Sequence, residues 1–132
     1  MTIIKLGAQR DARREAKTAF FDQLYRETTP NPIGRGVVYE SAALLDIQPW
    51  EMGAHISEIR ALKLREGSGT RALKLLLWLA DEYGIVLTLN ALRIGKEGMT
   101  SAQLRKWYRK YGFTSEPHNP TFMQRQPVKE TK

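Results

Sequence analysis

The chain has 132 residues, the size of one ordinary domain, and its 42% hydrophobic share argues against wholesale disorder. It has no cysteine and only two histidines, His55 and His118, which excludes disulfides and a thiol nucleophile and leaves zinc without its usual ligands, so no metal is expected. The formal net charge of +7 suits a phosphate-bearing partner or a solvated basic surface. The chain also lacks both an apolar leader and a run of about 18 apolar residues, so we expect a soluble, cytoplasmic protein with no membrane segment.

Asp11 to Glu27 is predicted as a helix. Ala16, Ala19, Phe20 and Leu24 form its apolar stripe, and Arg10, Arg13, Arg14 and Lys17 form a basic side. Pro30 and Pro32 end it. Gly36 to Ala43 reads as a strand carrying the β-favouring Val37, Val38 and Tyr39, and Leu44 to Ile47 either extends it or forms another. Gln48 to Gly53 is expected to be a loop, and His55 to Leu62 the next strand, with Ile56 and Ile59 buried.

Gly67-Ser68-Gly69 breaks that pattern, and a helix is predicted from Thr70 to Tyr83, with Leu73, Leu76, Leu77 and Ala80 at helical spacing and Gly84 as its cap. Ile85 to Leu89 is almost continuously apolar, as a central strand covered on both faces would be. Thr100-Ser101-Ala102-Gln103 has the capping-box pattern and opens a helix to Tyr111 that stops at Gly112. Thr121 to Arg125 is expected to be the last strand. The chain therefore divides into an amino-terminal helix and Pro-rich linker (1–35), a core (36–125) and a polar, loose tail (126–132), all within one domain.

The order strand, glycine loop, helix, strand places Leu64-Arg65-Glu66-Gly67-Ser68-Gly69-Thr70 at the amino terminus of a helix. Unpaired backbone N–H groups and partial positive charge favour an anion there, and glycines allow close approach. The loop lacks the Gly-Lys-Ser/Thr ending of a P-loop. Two glycines alone are better read as a plain turn before a helix.

This segment resembles the acyl-coenzyme A-binding motif of the GNAT N-acetyltransferases, a strand followed by Gln/Arg-x-x-Gly-x-Gly/Ala and a helix. Gly67 and Gly69 occupy its two small positions, with Leu64 at the Gln/Arg position and Arg65 one place later. Leu104-Arg105-Lys106-Trp107-Tyr108-Arg109-Lys110-Tyr111-Gly112-Phe113 is similar to the family's Leu-x-x-Phe-Tyr-x-x-x-Gly-Phe ending and is the more specific match. The resemblance covers about residues 56 to 125 and implies an α/β (α+β) fold: a central mixed, mostly antiparallel twisted sheet flanked by helices, with a shortened amino-terminal part.

It also implies roles. The cosubstrate would be acetyl-CoA, its pyrophosphate held by the loop from Leu64 to Thr70 and its pantetheine by the backbone of Ala61 and Leu62. Tyr108 would protonate the departing thiolate, although Leu104, Trp107, Tyr108 and Tyr111 also form an ordinary buried stripe. Glu58, on the preceding strand, would deprotonate the acceptor amine unless it only pairs with a neighbouring arginine, and His55 is an alternative base. The amine acceptor is open between a protein, an aminoacyl-tRNA and a small molecule, and a homodimer is also open. The competing expectation is a non-catalytic nucleic-acid-binding or interaction module on the same scaffold, motivated by the basic first helix, whose cations equally suit a solvated face.

Overall fold

The computed structural model describes residues 2–51, 53–62, 67–91 and 99–128, with side chains from residue 12 onward. Its elements are α1 (Thr2–Glu27), β1 (Thr29–Pro30), β2 (Val37–Tyr39), β3 (Ala43–Trp50), β4 (Gly53–Ala61), α2 (Ser68–Tyr83), β5 (Val86–Asn90), α3 (Ser101–Arg109), β6 (Thr114–Glu116) and β7 (Asn119–Arg125). The strands form one sheet in the order β1-β2-β3-β4-β5-β7-β6. Only β4 and β5 run parallel, joined through α2, and every other pair is antiparallel. This is the mixed, mostly antiparallel sheet flanked by helices that the sequence implies.

The two long helices follow the predicted pattern with shifted ends. α1 begins at Thr2 rather than near Asp11, and it sends Phe20 and Leu24 into the core at 0% and 1% exposure. α2 begins two residues before Thr70 and ends on Gly84, whose φ of 68° is the left-handed cap conformation that glycine adopts without strain. α3 opens on the complete capping box. The Thr100 hydroxyl accepts from the Gln103 amide at 3.1 Å, and the Gln103 carboxamide oxygen accepts from the Thr100 amide at 2.9 Å.

The strands depart more from expectation. Residues 36–43 do not form one strand. β2 ends at Tyr39, and the chain turns through Glu40 and Ser41, both at positive φ, before β3 starts. The loop expected from Gln48 to Gly53 is mostly strand, because β3 runs to Trp50 and β4 starts at Gly53. Proline is tolerated in β3 because β2 pairs only with Ala43 to Leu45, leaving Pro49 on an open edge where its missing N–H costs no ladder bond. β1 and β6 are too short to show a periodicity.

One hydrophobic cluster joins helices and sheet. Ala43, Leu45, Ala54, Ile56, Leu87, Leu89 and Met123 belong to it, and the register places them on a single sheet face against α1 and α2. Arg125 projects from the same face. Its Nη atoms donate to both carboxylate oxygens of Asp81 in α2, and its Nε donates to the Tyr111 carbonyl just beyond α3. The carboxyl ends of α2 and α3 therefore meet on that face. The opposite face presents Gln48, Trp50, His55, Thr88 and Phe122.

Candidate functional site

The parallel pair β4 and β5 begins in close contact. A Cβ on Gly53 would lie 2.0 Å from the Val86 carbonyl oxygen, so glycine is required for this approach. Pairing then runs from Gly53↔Val86 to Ile56↔Leu89 and stops, while β4 continues to Ala61. At that point β4 carries a bulge. Ile56 pairs with Ile47 and Glu58 with Asp46, leaving Ser57 as the extra residue. A bulge bends its strand and raises its twist. Beyond Ile56 the backbone of β4 has no β5 partner in the ladder, and this segment includes Ala61, which the resemblance assigns to pantetheine. Leu62 follows, half exposed, with its own amide bonded to the Ala42 carbonyl.

The glycine loop stands at the end of that segment. Leu64, Arg65 and Glu66 lie outside the described residues. Gly67 has φ of 69°, in the left-handed region, and precedes α2 as its amino-terminal cap. The first turn of α2 contains no acidic residue that would oppose the partial positive charge of the helix end. Among the described residues nothing lies within 4 Å of where a Cβ on Gly69 would stand, and Ser68 is buried. Thr70 follows in the same turn, partly buried. Behind it Arg71 reaches the β2–β3 turn and donates to Glu40 at 2.9 Å. Among the described residues, the free space over Gly69 and a first turn without acidic side chains fit a diphosphate.

Tyr108 is 8% exposed and packs edge-on against Trp107 and Phe113, with ring centroids 4.9 and 5.4 Å away. Burial pushes its phenol up to about 12. The ring belongs to the core cluster, as the buried-stripe reading expects. A phenol so placed keeps its proton at neutral pH.

Glu58 sits on β4 immediately after the bulge, and Arg60, two residues on, donates to its Oε2 from Nη2 at 2.6 Å and Nε at 2.8 Å. The ion pair weighed from sequence is thus formed. His55 lies on the same face one step before the strands part. Its Nδ1 is 2.8 Å from Oγ1 of Thr88, its register partner on β5, and Thr88 is fully buried. Burial pushes the imidazole pKa below the ordinary value of 6.5.

Sequence reasoning missed two contributors to this face, Trp50 and Phe122, whose rings lie 6.5 Å apart. Of the basic side of α1, Arg13 and Arg14 are exposed, whereas Lys17 is turned onto the β3–β4 hairpin, donating to the Trp50 carbonyl at 3.3 Å. Among the described residues no cluster of acidic residues or histidines could hold a metal ion, and no helix is long and apolar enough to cross a membrane.

No family model matches the chain, and no curated protein matches it. Among solved structures, it is similar to the crystal structure of the anti-CRISPR protein AcrVA5, with 17% identity and a TM-score of 0.56, over 66% of this chain and 93% of that one. At this identity the likeness is one of fold.

Proposed function

We propose that the chain is an acetyl-CoA-dependent N-acetyltransferase that moves an acetyl group to an amine by direct attack in a ternary complex. The observation that carries this reading is the coincidence of three features at one end of β4: the bulge at Ser57, the end of β4–β5 pairing after Ile56, and the glycine-led start of α2. Unpaired β4 backbone offers hydrogen bonds to an extended amide chain such as pantetheine. The start of α2 beyond it offers amides and a helix dipole to a pyrophosphate.

Acetyl-CoA would be cradled at Gly67, Ser68, Gly69 and Thr70, with Ala61 and Leu62 along its pantetheine arm. When bound it supplies the activated acyl group as a thioester. Tyr108 then acts as general acid toward the departing sulfur, holding its proton until negative charge develops there. The acceptor must arrive as a neutral amine, since an ammonium has no lone pair. β4 carries two groups that can take its proton, Glu58 and His55, and they differ in what already holds them.

Calorimetric titration with acetyl-CoA tests the cofactor, and incubation with labelled acetyl-CoA and a cell lysate, separated into protein, RNA and small-molecule fractions, tests the transfer. Binding and label in one fraction are expected. A protein that ignores acetyl-CoA but binds RNA, with affinity falling steeply as salt rises, would replace this reading with a nucleic-acid-binding one.

A further inference from the structure

The imidazole of His55 is built into the sheet in a way that a surface histidine is not. Its row across the sheet is Gln48, His55, Thr88, Gln124, from β3 to β7. Directly paired residues share a sheet face, and so do residues two apart on one strand. Trp50 therefore lies on the His55 face, two residues beyond Gln48, and Phe122 lies there too, two residues before Gln124. Trp50 stands on β3 and Phe122 on β7, with β4 and β5 between them. Rings from strands so far apart meet at 6.5 Å only by leaning toward each other over the middle two strands. The His55–Thr88 pair lies beneath that bridge, and Thr88 has no exposed surface.

We propose that His55, oriented by the Thr88 hydroxyl and shielded by the Trp50–Phe122 bridge, is the base that takes the proton from the acceptor amine. This rests on the acetyltransferase reading. Thr88 occupies one ring nitrogen, Nδ1, and leaves Nε2 for the acceptor. Glu58 is the rival on the same face, but its carboxylate oxygen already accepts two charged N–H bonds from Arg60. Position favours His55 as well. It precedes the point where β4 leaves β5 by one residue, and it faces away from the helix-covered side, the side on which Tyr108 joins the core. Acid and base thus address the parting strands from opposite faces, one for the leaving sulfur and one for the incoming nitrogen.

The proton and electron count closes. The ammonium gives one proton to Nε2 of His55. The freed lone pair forms the C–N bond to the thioester carbonyl carbon, the C–S bond breaks, and its electron pair leaves with sulfur. Tyr108 gives its proton to sulfur and regains one, through water, from the nitrogen that became the amide. The imidazolium releases its proton to solvent. The sum is ammonium plus thioester giving amide, thiol and one proton. Among the described residues of β3 and β4, the charged groups on the face of His55 are Asp46, Glu58 and Arg60, the last two paired with each other. The low pKa that burial gives the imidazole keeps it unprotonated at neutral pH.

The test compares wild type with His55→Gln and Thr88→Val in the labelled-lysate transfer assay from pH 6 to 9.5, alongside calorimetry with acetyl-CoA. His55→Gln should bind acetyl-CoA as wild type does and lose transfer about 100-fold at pH 7. The loss should shrink about tenfold per pH unit, as the free-amine fraction rises below a lysine-like pKa. Wild-type rates in His55→Gln, or a loss that does not recover at alkaline pH, would overturn the proposal. Side-chain nitrogen NMR on the protein alone decides the geometry: Nδ1 protonated and Nε2 bare in wild type, with that preference lost in Thr88→Val. A wild-type His55 carrying its proton on Nε2 refutes the proposal even where no transfer is detected. Wild type that fails to bind acetyl-CoA sinks the transferase reading instead, and the two failures are read in different experiments.

Discussion

Arg125 of β7 grips Asp81 of α2 with both arms of its guanidinium, at 2.8 and 3.0 Å, although 44 residues separate them in the chain. The same carboxylate accepts from the Val128 amide at 2.8 Å, so the beginning of the tail is tied to α2 rather than loose. The two partners are unequally buried, with side-chain exposures of 7% for Arg125 and 30% for Asp81. Asp81→Ala leaves a buried guanidinium with one of its three hydrogen bonds, that to the Tyr111 carbonyl, whereas Arg125→Met leaves a carboxylate that water reaches. Removing one partner of a buried pair costs ~3–5 kcal/mol, and Asp81→Ala should fall at the low end of that range. Arg125→Met should cost less. Urea unfolding of the two variants checks the order, and equal or reversed losses would show that burial does not set the cost.

The same pair gives the fold an acid limit. Burial raises the Asp81 carboxyl, but the Arg125 hydrogen bonds and charge and the Val128 amide outweigh it, and its pKa ends below the ordinary 3.8. A carboxyl lowered in the folded state contributes stability above its unfolded pKa and loses it as pH falls through the folded value. Unfolding free energy should therefore fall below about pH 4 in wild type and show a shallower fall in Asp81→Asn. His55 adds an earlier decline of the same sign, below about pH 6.5, because its pKa is lowered by burial. That decline should vanish in His55→Gln.

Gly112 closes α3 with φ of 95°, and a Cβ there would meet the Arg125 Nε at 3.3 Å, the atom that donates to the Tyr111 carbonyl. Gly112→Ala strains the backbone and presses on that bond together. A loss of about 1–2 kcal/mol is expected, from the left-handed conformation and the crowding. Because Phe113 and Tyr108 pack on each other next to this turn, the variant should also change the near-ultraviolet circular dichroism of the aromatic cluster.

What the sequence disclosed follows the range of the forces involved. The capping box at Thr100 and Gln103 and the cap at Gly84 were legible because each is complete within a few residues. Ile85 to Leu89 stood out because a strand buried on both faces needs apolar residues almost throughout. Pro49 misled, since its tolerance depends on how far β2 extends along β3, which no local pattern shows. The Trp50–Phe122 contact and the Arg125–Asp81 grip were invisible for a stronger reason. Each exists only once the order β3-β4-β5-β7 and the placement of α2 are known. Within the candidate site, Gly67, Gly69 and Tyr108 were found by motif, whereas the partners of Glu58 and His55 emerged only from strand register.

Tyr108 offers a separation of fold from chemistry. Tyr108→Phe keeps the ring that packs on Trp107 and Phe113, so the melting temperature should stay within a few degrees and acetyl-CoA affinity should hold. Turnover should fall about 10²–10⁴-fold, the usual contribution of a positioned acid. With its phenol raised to about 12 from 10, Tyr108 contributes stability that is full below pH 10 and is lost as pH rises toward 12. Alkaline unfolding in that window should accordingly be reduced in Tyr108→Phe. Unchanged turnover in this variant would remove Tyr108 from the mechanism and leave it as a core residue.

Gly69 separates ligand from fold in the opposite sense. No atom of the described residues lies within 4 Å of its absent Cβ, and it stands in the first turn of α2. Alanine there meets no atom of the described residues and favours the helix over glycine by up to about 1 kcal/mol, so Gly69→Ala should melt at the wild-type temperature or slightly above. The added methyl group projects into the space from which an anion would approach the helix amides. If that space receives the pyrophosphate, calorimetry should show acetyl-CoA binding weakened at least tenfold in a protein no less stable than wild type. Undiminished affinity would place the pyrophosphate elsewhere, because a methyl group cannot share the position of a phosphate oxygen.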